Sequence, residues 1–162
     1  KAIDQLHIVP VSISYEWESC DILKTLELYE SQFAKYTKKP GEDLNSILTG
    51  IVQPKGQVHI ELCDPISHAE LTKFETLTNN EYHKAVANLL DSRINTAYRL
   101  YPNNYIAYDL RYGTTKYQDS YTEEQKQAFL SRIKLLEQYD TCDIEKLIDI
   151  FLGIYSNPVN NK

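Results

Sequence analysis

Methionine is absent from these 162 residues, tryptophan occurs once, cysteine three times and glycine only five times. So few glycines leave no room for a Gly-rich phosphate loop, and neither a Gly-x-Ser-x-Gly elbow nor a carboxylate and histidine metal pattern is present. Cys20, Cys63 and Cys142 are odd in number, widely spaced and never Cys-x-x-Cys, which argues against a disulfide framework and a zinc site and fits a reducing compartment. No stretch approaches the roughly 18 apolar residues of a membrane span. Positive charge is the minority: 17 Lys and Arg against 23 Asp and Glu give a net charge of −6, so no nucleic-acid partner is expected. With 42% hydrophobic residues the chain has material for one sizeable core.

What the chain does carry is a strong strand signal near its start, Leu6-His7-Ile8-Val9-Pro10-Val11-Ser12-Ile13-Ser14-Tyr15-Glu16. Period-two alternation puts His7, Val9, Val11, Ile13 and Tyr15 on one face and Leu6, Ile8, Ser12 and Ser14 on the other. Both faces are largely apolar through Ile13, the pattern of a parallel-sheet strand with helices over both sides. Pro10 has no N–H for the ladder and marks an edge, a bulge or a place where pairing ends beside a site. A buried-type strand this close to Lys1 wants neighbours on both edges, so the chain is expected to be a piece of a longer protein. An uncovered edge over residues 6 to 15 is then expected to let copies of the chain self-associate.

After this strand, Ser19 or Asp21 can cap a helix with the stripe Ile22, Leu26, Tyr29, Phe33 and Tyr36. Lys38-Lys39-Pro40-Gly41 stops it, and a shorter helix from Glu42-Asp43 is expected to turn Leu44, Ile47, Leu48 and Ile51 inward. A second strand, Gln57 to Leu62, follows the turn Gln53-Pro54-Lys55-Gly56. Strand, helical crossover and strand predict a parallel, right-handed βαβ-like unit over residues 6 to 66. The rest reads as helix: a short one within 67–75, and a long one from Thr78, Asn79 or Asn80 to about Leu100, ended by Pro102. One more helix opens on the capping box of Thr122 to Gln125, and a last one starts at Asp143 and closes at Asn157-Pro158. The fold class expected is α/β: a small, mainly parallel sheet fragment with a helical crossover, followed by an α-helical C-terminal region.

Three patterns could carry chemistry. His59 and Asp64 satisfy His-x-x-x-x-Asp, the spacing of a base and its orienting carboxylate in acyl transfer. Five extended residues separate their Cα atoms by about 16 Å, so side chains needing hydrogen-bond contact do not meet there. His7 reads as a packed or edge histidine, and His68 and His83 have no partner at diagnostic spacing. Lys35, Lys38, Lys39 and Lys55 are either a solvated helix end or an attractor for an anionic ligand or lipid headgroup. Tyr101, Tyr105, Tyr108 and Tyr112 share one face if Pro102 starts a helix, and form either a packing seam or an interfacial aromatic belt.

The segment Val9-Pro10-Val11-Ser12-Ile13-Ser14-Tyr15-Glu16 resembles the fourth conserved block of the glycerol-3-phosphate and 1-acylglycerol-3-phosphate (lysophosphatidate) acyltransferase superfamily: an aliphatic strand with a Val-Pro core, followed by Tyr and an acid. Lys39-Pro40-Gly41-Glu42-Asp43-Leu44, Ile47-Leu48-Thr49-Gly50-Ile51 and Val58 to Ile66 resemble later landmarks in order, although Cys63-Asp64 departs from the family's usual Gly-Glu. The match covers residues 6 to 66, about two-fifths of the chain. The resemblance implies that residues 1–66 are the C-terminal βαβ-like part of an acyltransferase domain and that residues 67–162 are a helical extension. It implies that Val9, Pro10, Val11, Tyr15 and Glu16 border the substrate pocket. The catalytic His/Asp pair would lie upstream, and this chain alone would be inactive. The partners implied are an acyl donor and a glycerol-phosphate substrate. The donor would be an acyl-CoA or acyl carrier protein thioester, with no other cofactor, and the location cytoplasmic, with peripheral contact at the inner face of the membrane. The alternative is a non-catalytic helical interaction or membrane-docking module.

Overall fold

The computed structural model describes residues 5–162; its first two helices follow Cys20 and Gly41 without a side-chain cap, so neither Ser19 nor Asp21 caps the first, whereas several later helices start where side chains cap them. In chain order the elements are β1 (Val11–Tyr15), α1 (Asp21–Glu30), α2 (Glu42–Val52), β2 (Val58–Leu62), α3 (His68–Thr72), α4 (Asn79–Ala97), α5 (Pro102–Tyr112), α6 (Glu123–Ile133) and α7 (Ile144–Asn160). Ser67 and Glu70 form a reciprocal capping box on α3, and Thr122 and Gln125 do the same on α6. The Asp143 carboxylate accepts the Lys146 N–H at 3.2 Å to start α7. Pro102 occupies the first turn of α5, where its missing N–H costs nothing. Pro158 does not close α7: the helix continues to Asn160, because a proline in the last turn forfeits a single ladder bond.

Two units interleave along the chain. The first comprises the described part of Lys1–Ser14 together with Val58–Arg99 and Lys162; the second comprises Tyr15–Gln57 and Leu100–Asn161.

In the first unit β1 and β2 make a two-stranded sheet, and it is antiparallel, not parallel. The chain leaves β1 and re-enters β2 at the same end. Within the second unit, Glu16 N–H donates to Gln57 O at 2.9 Å and Trp17 N–H to Lys55 O at 3.0 Å. A parallel pair would need the connection to travel back along the strand, and the segment carrying α1 and α2 does not. The regular strand is also shorter than the apolar run, starting at Val11; His7 has φ +47° and is not strand-borne. Pro10 O accepts Cys63 N–H and Ile8 O accepts Ile66 N–H, both at 2.9 Å. Unbroken register would set Ile8 opposite Pro65, which has no N–H to give, so the ladder slips by one residue beside Pro10.

The sheet is covered on one side only, and that side is the polar one. Ser12 and Ser14 are fully buried: Ser12 Oγ donates to Ile94 O at 3.1 Å, and Arg99 N–H donates to Ser14 Oγ at 2.9 Å. The Ile94 carbonyl, which already accepts the Tyr98 N–H at 2.8 Å, takes the Ser12 hydroxyl on its second lone pair, and the Arg99 amide just beyond α4 finds its acceptor in Ser14, so each buried serine hydroxyl is partnered by the end of α4. Val9, Val11 and Ile13 remain exposed on the other side, as do Val58, Ile60 and Leu62 of β2. A small core of Ile66, Leu71, Tyr82 and Val86 lies between α3 and α4.

Arg93 ties the first unit together, donating to Asp64 O at 2.6 Å and to Glu70 at 2.5 Å. The Ser67 backbone N–H and hydroxyl, with Arg93, pull the Glu70 carboxyl down to about 2 from its ordinary 4.5. A value depressed in the folded state contributes stability that is present above the unfolded value and is lost as pH falls through the folded one. The α3 cap is therefore expected to loosen as pH falls from about 4.5 toward about 2. The amide shift of Ser67, followed by NMR, reports it. Glu70→Gln should abolish the titration; a variant that titrates like the wild type would show that another group is responsible.

In the second unit, Ile106, Ala107, Phe129, Ile133, Leu136, Leu147, Phe151, Leu152 and Tyr155 form the core, drawn from α5, α6, α7 and the turn after α6. Trp17 and the α1 residues Ile22, Leu26 and Tyr29 pack onto it. Helix α1 ends at Glu30 rather than continuing through Tyr36. Ser31 Oγ turns back to Glu27 O at 2.6 Å, and the following amides make tight three-residue bonds that unwind the helix. Helix α2 forms where its pattern predicts, but none of its residues is buried. Amphipathic periodicity states that a face is apolar; it does not supply a partner for it.

Candidate functional site

The candidate site lies in the second unit, where the chain leaves β1 and passes Glu16, Trp17 and Glu18 before α1. Glu16 is pinned from both ends: Asn103 Nδ2 donates to its carbonyl at 2.6 Å, and Gln57 N–H donates to its carboxylate at 2.9 Å. The Glu16 carboxylate also lies against Gly56, which has φ +61°; a Cβ there would collide with the Glu16 side chain, so glycine is required twice over. Trp17 stacks on Phe129 with ring centroids 5.9 Å apart and meets Tyr155 edge-on at 6.3 Å.

Behind these residues is a buried charge. Asp21 is fully buried at the first turn of α1. Arg132, from the last turn of α6, grips it with Nε at 3.0 Å and Nη2 at 2.7 Å, and the Tyr155 hydroxyl donates to it at 2.8 Å. The Ile22 N–H is a fourth donor, at 2.7 Å. The Tyr155 oxygen in turn accepts the Glu18 N–H at 3.1 Å, so the network reaches the segment beside the site. Burial, reinforced by the Asp21 charge, pushes the Tyr155 phenol far above its ordinary range, and its hydrogen bond to Asp21 holds the Arg132 guanidinium more firmly protonated. Tyr155 is thus a fixed donor rather than a base, and the network positions rather than reacts. Burial and the neighbouring Glu18 charge also raise the Cys20 thiol, leaving it a poor nucleophile.

Next to the network opens a cavity of about 390 Å³. Trp17, Pro54, Ala128 and Leu135 make an apolar wall, and Glu18, Gln53, Ser131 and Arg132 supply polar and charged groups. Arg132 uses Nε and Nη2 on Asp21, so Nη1 is the part of the guanidinium that the carboxylate leaves unused. A volume of this size with one apolar wall and one polar wall suits a small amphiphilic ligand.

The residues expected to border a pocket are divided between the units. Val9 and Val11 lie on the exposed apolar side of the sheet, while Pro10 is buried at the point where the ladder slips. Tyr15 and Glu16 belong to the second unit, both half-buried, with Glu16 fixed as above. His59 and Asp64 do not form a dyad: His59 Nε2 lies 3.1 Å from Glu61, and Asp64 offers its backbone carbonyl to Arg93. The tyrosine face is a packing seam, with Tyr105 and Tyr108 against Tyr117 at 5.0 and 5.1 Å and Lys116 over the Tyr117 ring at 4.7 Å. Among the described residues no His, Cys, Asp and Glu group suited to a metal ion occurs, and no helix is long and apolar enough to cross a membrane.

The Asp21, Arg132 and Tyr155 network was not legible beforehand. Asp21 and Arg132 are 111 positions apart, and each has a sufficient local reading, an acid in a first helical turn and a base in a last one. No protein-family model, curated protein or solved structure matches the chain.

Proposed function

We propose that this chain forms part of the substrate-binding wall of an acyltransferase that moves an acyl chain from a thioester to a glycerol-phosphate hydroxyl in phospholipid synthesis. The catalytic His/Asp pair comes from outside these residues. Val9, Pro10, Val11, Tyr15 and Glu16 border the substrate, and acyl-CoA or an acyl carrier protein thioester is the donor. The observation that carries the reading is the ordered run of landmarks from Val9-Pro10-Val11 through Tyr15-Glu16 to Asp64-Pro65-Ile66. Two features of the geometry support it. The exposed face of β1 and β2, with a single strand neighbour for each, is the condition of strands belonging to a larger sheet. The acid that ends the motif is held in one place by Asn103, Gln57 and Gly56, as a substrate-positioning group needs to be.

The test uses the complete protein encoded by the reading frame that contains this chain. Radiolabelled acyl transfer from long-chain acyl-CoA or acyl carrier protein to glycerol 3-phosphate, and to its 1-acyl derivative, is expected. Val11→Asp should lower kcat/KM by about tenfold or more with an unchanged melting temperature, since Val11 is exposed. The 162-residue chain alone should transfer nothing. A folded complete protein inactive with every donor and acceptor pair would overturn the reading, and so would transfer by the isolated chain.

A further inference from the structure

We propose that the outer edge of β2 pairs with the β2 edge of a second copy of this chain, antiparallel about a twofold axis at Ile60, joining two two-stranded sheets into one. The bonds from Cys63 N–H to Pro10 O and from Glu16 N–H to Gln57 O set those residues opposite one another. Peptide groups alternate in direction along an antiparallel ladder, so Gln57, His59, Glu61 and Cys63 turn theirs toward β1, while Val58, Ile60 and Leu62 turn theirs away. Among the described residues no strand lies on that outer side. Ile60 and Leu62 are 63% and 74% exposed, against 41% and 44% for Val11 and Ile13 of β1, so the β2 side is the more open one. Neither proline nor lysine interrupts β2, and the ladder slips only beyond its end, so the usual guards against edge pairing are missing here.

The side chains of β2 select both the occupant and the register. Setting Ile60 against its own counterpart pairs every outward N–H and C=O from Val58 to Leu62, and the next allowed register on either side leaves some of them bare. In that register His59 of each copy faces Glu61 of the other across a non-hydrogen-bonded pair, where side chains approach most closely. Within one chain the same two groups are 3.1 Å apart, so imidazoles and carboxylates alternate around the axis. The neighbouring registers would instead oppose His59 to His59 or Glu61 to Glu61. Arg93, the cation beside Glu61 in the cleft next to α4, is committed to Asp64 O and Glu70. On the other face Val58 meets Leu62 and Ile60 meets Ile60, which carries the exposed apolar side of the sheet across the axis. β1 has no carboxylate, cation or imidazole, so nothing in it selects a register. Its edge stays open to the further strands of an acyltransferase sheet, and self-association is measured without any acyl transfer.

The experiment is sedimentation equilibrium of the full 162-residue chain over a wide concentration range at neutral pH, with the melting of each variant followed by circular dichroism. A monomer–dimer equilibrium is expected for the wild type. His59→Glu sets carboxylate against carboxylate, twice in a symmetric interface, and should weaken dimerisation by about tenfold or more. Adding Glu61→His to that variant exchanges the two groups and should restore the dimer, because only a register centred on Ile60 keeps an imidazole opposite each carboxylate. Ile60→Pro removes an outward N–H that β1 does not use, and should abolish the dimer with little change in melting. His59 and Glu61 are both partly exposed, so their variants should melt like the wild type. A wild type that stays monomeric at every concentration would overturn the proposal, as would a dimer indifferent to His59→Glu or a double variant that does not regain it. A dimer that survives Ile60→Pro but not Ile13→Pro would use the edge of β1 and overturn it equally.

Discussion

Replacing Phe129 by Ala is expected to destabilise the second unit by about 3–5 kcal/mol. The ring is completely buried, 5.9 Å from Trp17, 5.7 Å from Phe151 and 5.1 Å from Tyr155. Its loss removes the transfer free energy of the side chain and leaves a void that these rings, held by one another and by the Tyr155 hydroxyl, have little freedom to fill. Trp17 would lose its stacking partner, so its fluorescence should shift along with the thermal transition. A chain of this size should melt roughly 10 °C lower by circular dichroism. An equally apolar but exposed position is the control: Ile51→Ala should change stability by no more than about 0.5 kcal/mol. If the two substitutions proved equivalent, the core assigned here would be wrong.

Arg132→Met is expected to cost about 3 kcal/mol, because it removes the cation from a carboxylate with no access to water. Asp21 keeps its bonds from Tyr155 and the Ile22 N–H, but those are single dipoles set against the desolvation of a full charge. The pair itself need not be a large net stabiliser. Asp21→Leu combined with Arg132→Met should therefore recover part of the loss, the remaining deficit reflecting the Tyr155 hydroxyl left without its acceptor. Chemical denaturation of the wild type, the single and the double variant makes the comparison, and a single variant within about 0.5 kcal/mol of wild type would remove the network from the account of stability. In the complete protein Arg132→Met should also reduce ligand affinity, since the same guanidinium lines the cavity beside Trp17. That effect separates a positioning role from a purely structural one if the double variant regains stability without regaining binding.

The starts of α6 and α7 were legible because the chemistry that fixes them is short-range. Thr122 with Gln125 closes its bonds within three residues, and Asp143 needs only Lys146; the equally local box of Ser67 with Glu70 belongs to a helix for which the sequence reading named no cap. The anomaly of Pro10 was also legible as an interruption of pairing, although the second cause, Pro65 across the ladder, becomes visible only once the register is known. Strand direction was misread for an equally physical reason. A helical crossover is compatible with a parallel pair, but the direction depends on where the connection ends, which is set by the bonds of Glu16 and Trp17 to Gln57 and Lys55.

The sequence by itself determined where most of the helices lie, the caps that start α6 and α7 and the apolar faces of α2 and β1, because each depends on residues within a turn or on simple alternation. Only the tertiary structure decided that Ser12 and Ser14 face inward while Val11 and Ile13 face out, that α2 presents its apolar side away from its own unit, and that Asp21 meets Arg132. Those outcomes depend on which distant groups need partners. The hydroxyl of Ser12, the amide of Arg99 and the carboxylate of Asp21 must each be satisfied when buried, and apart from the Ile22 N–H beside Asp21 the groups that satisfy them lie more than eighty positions away.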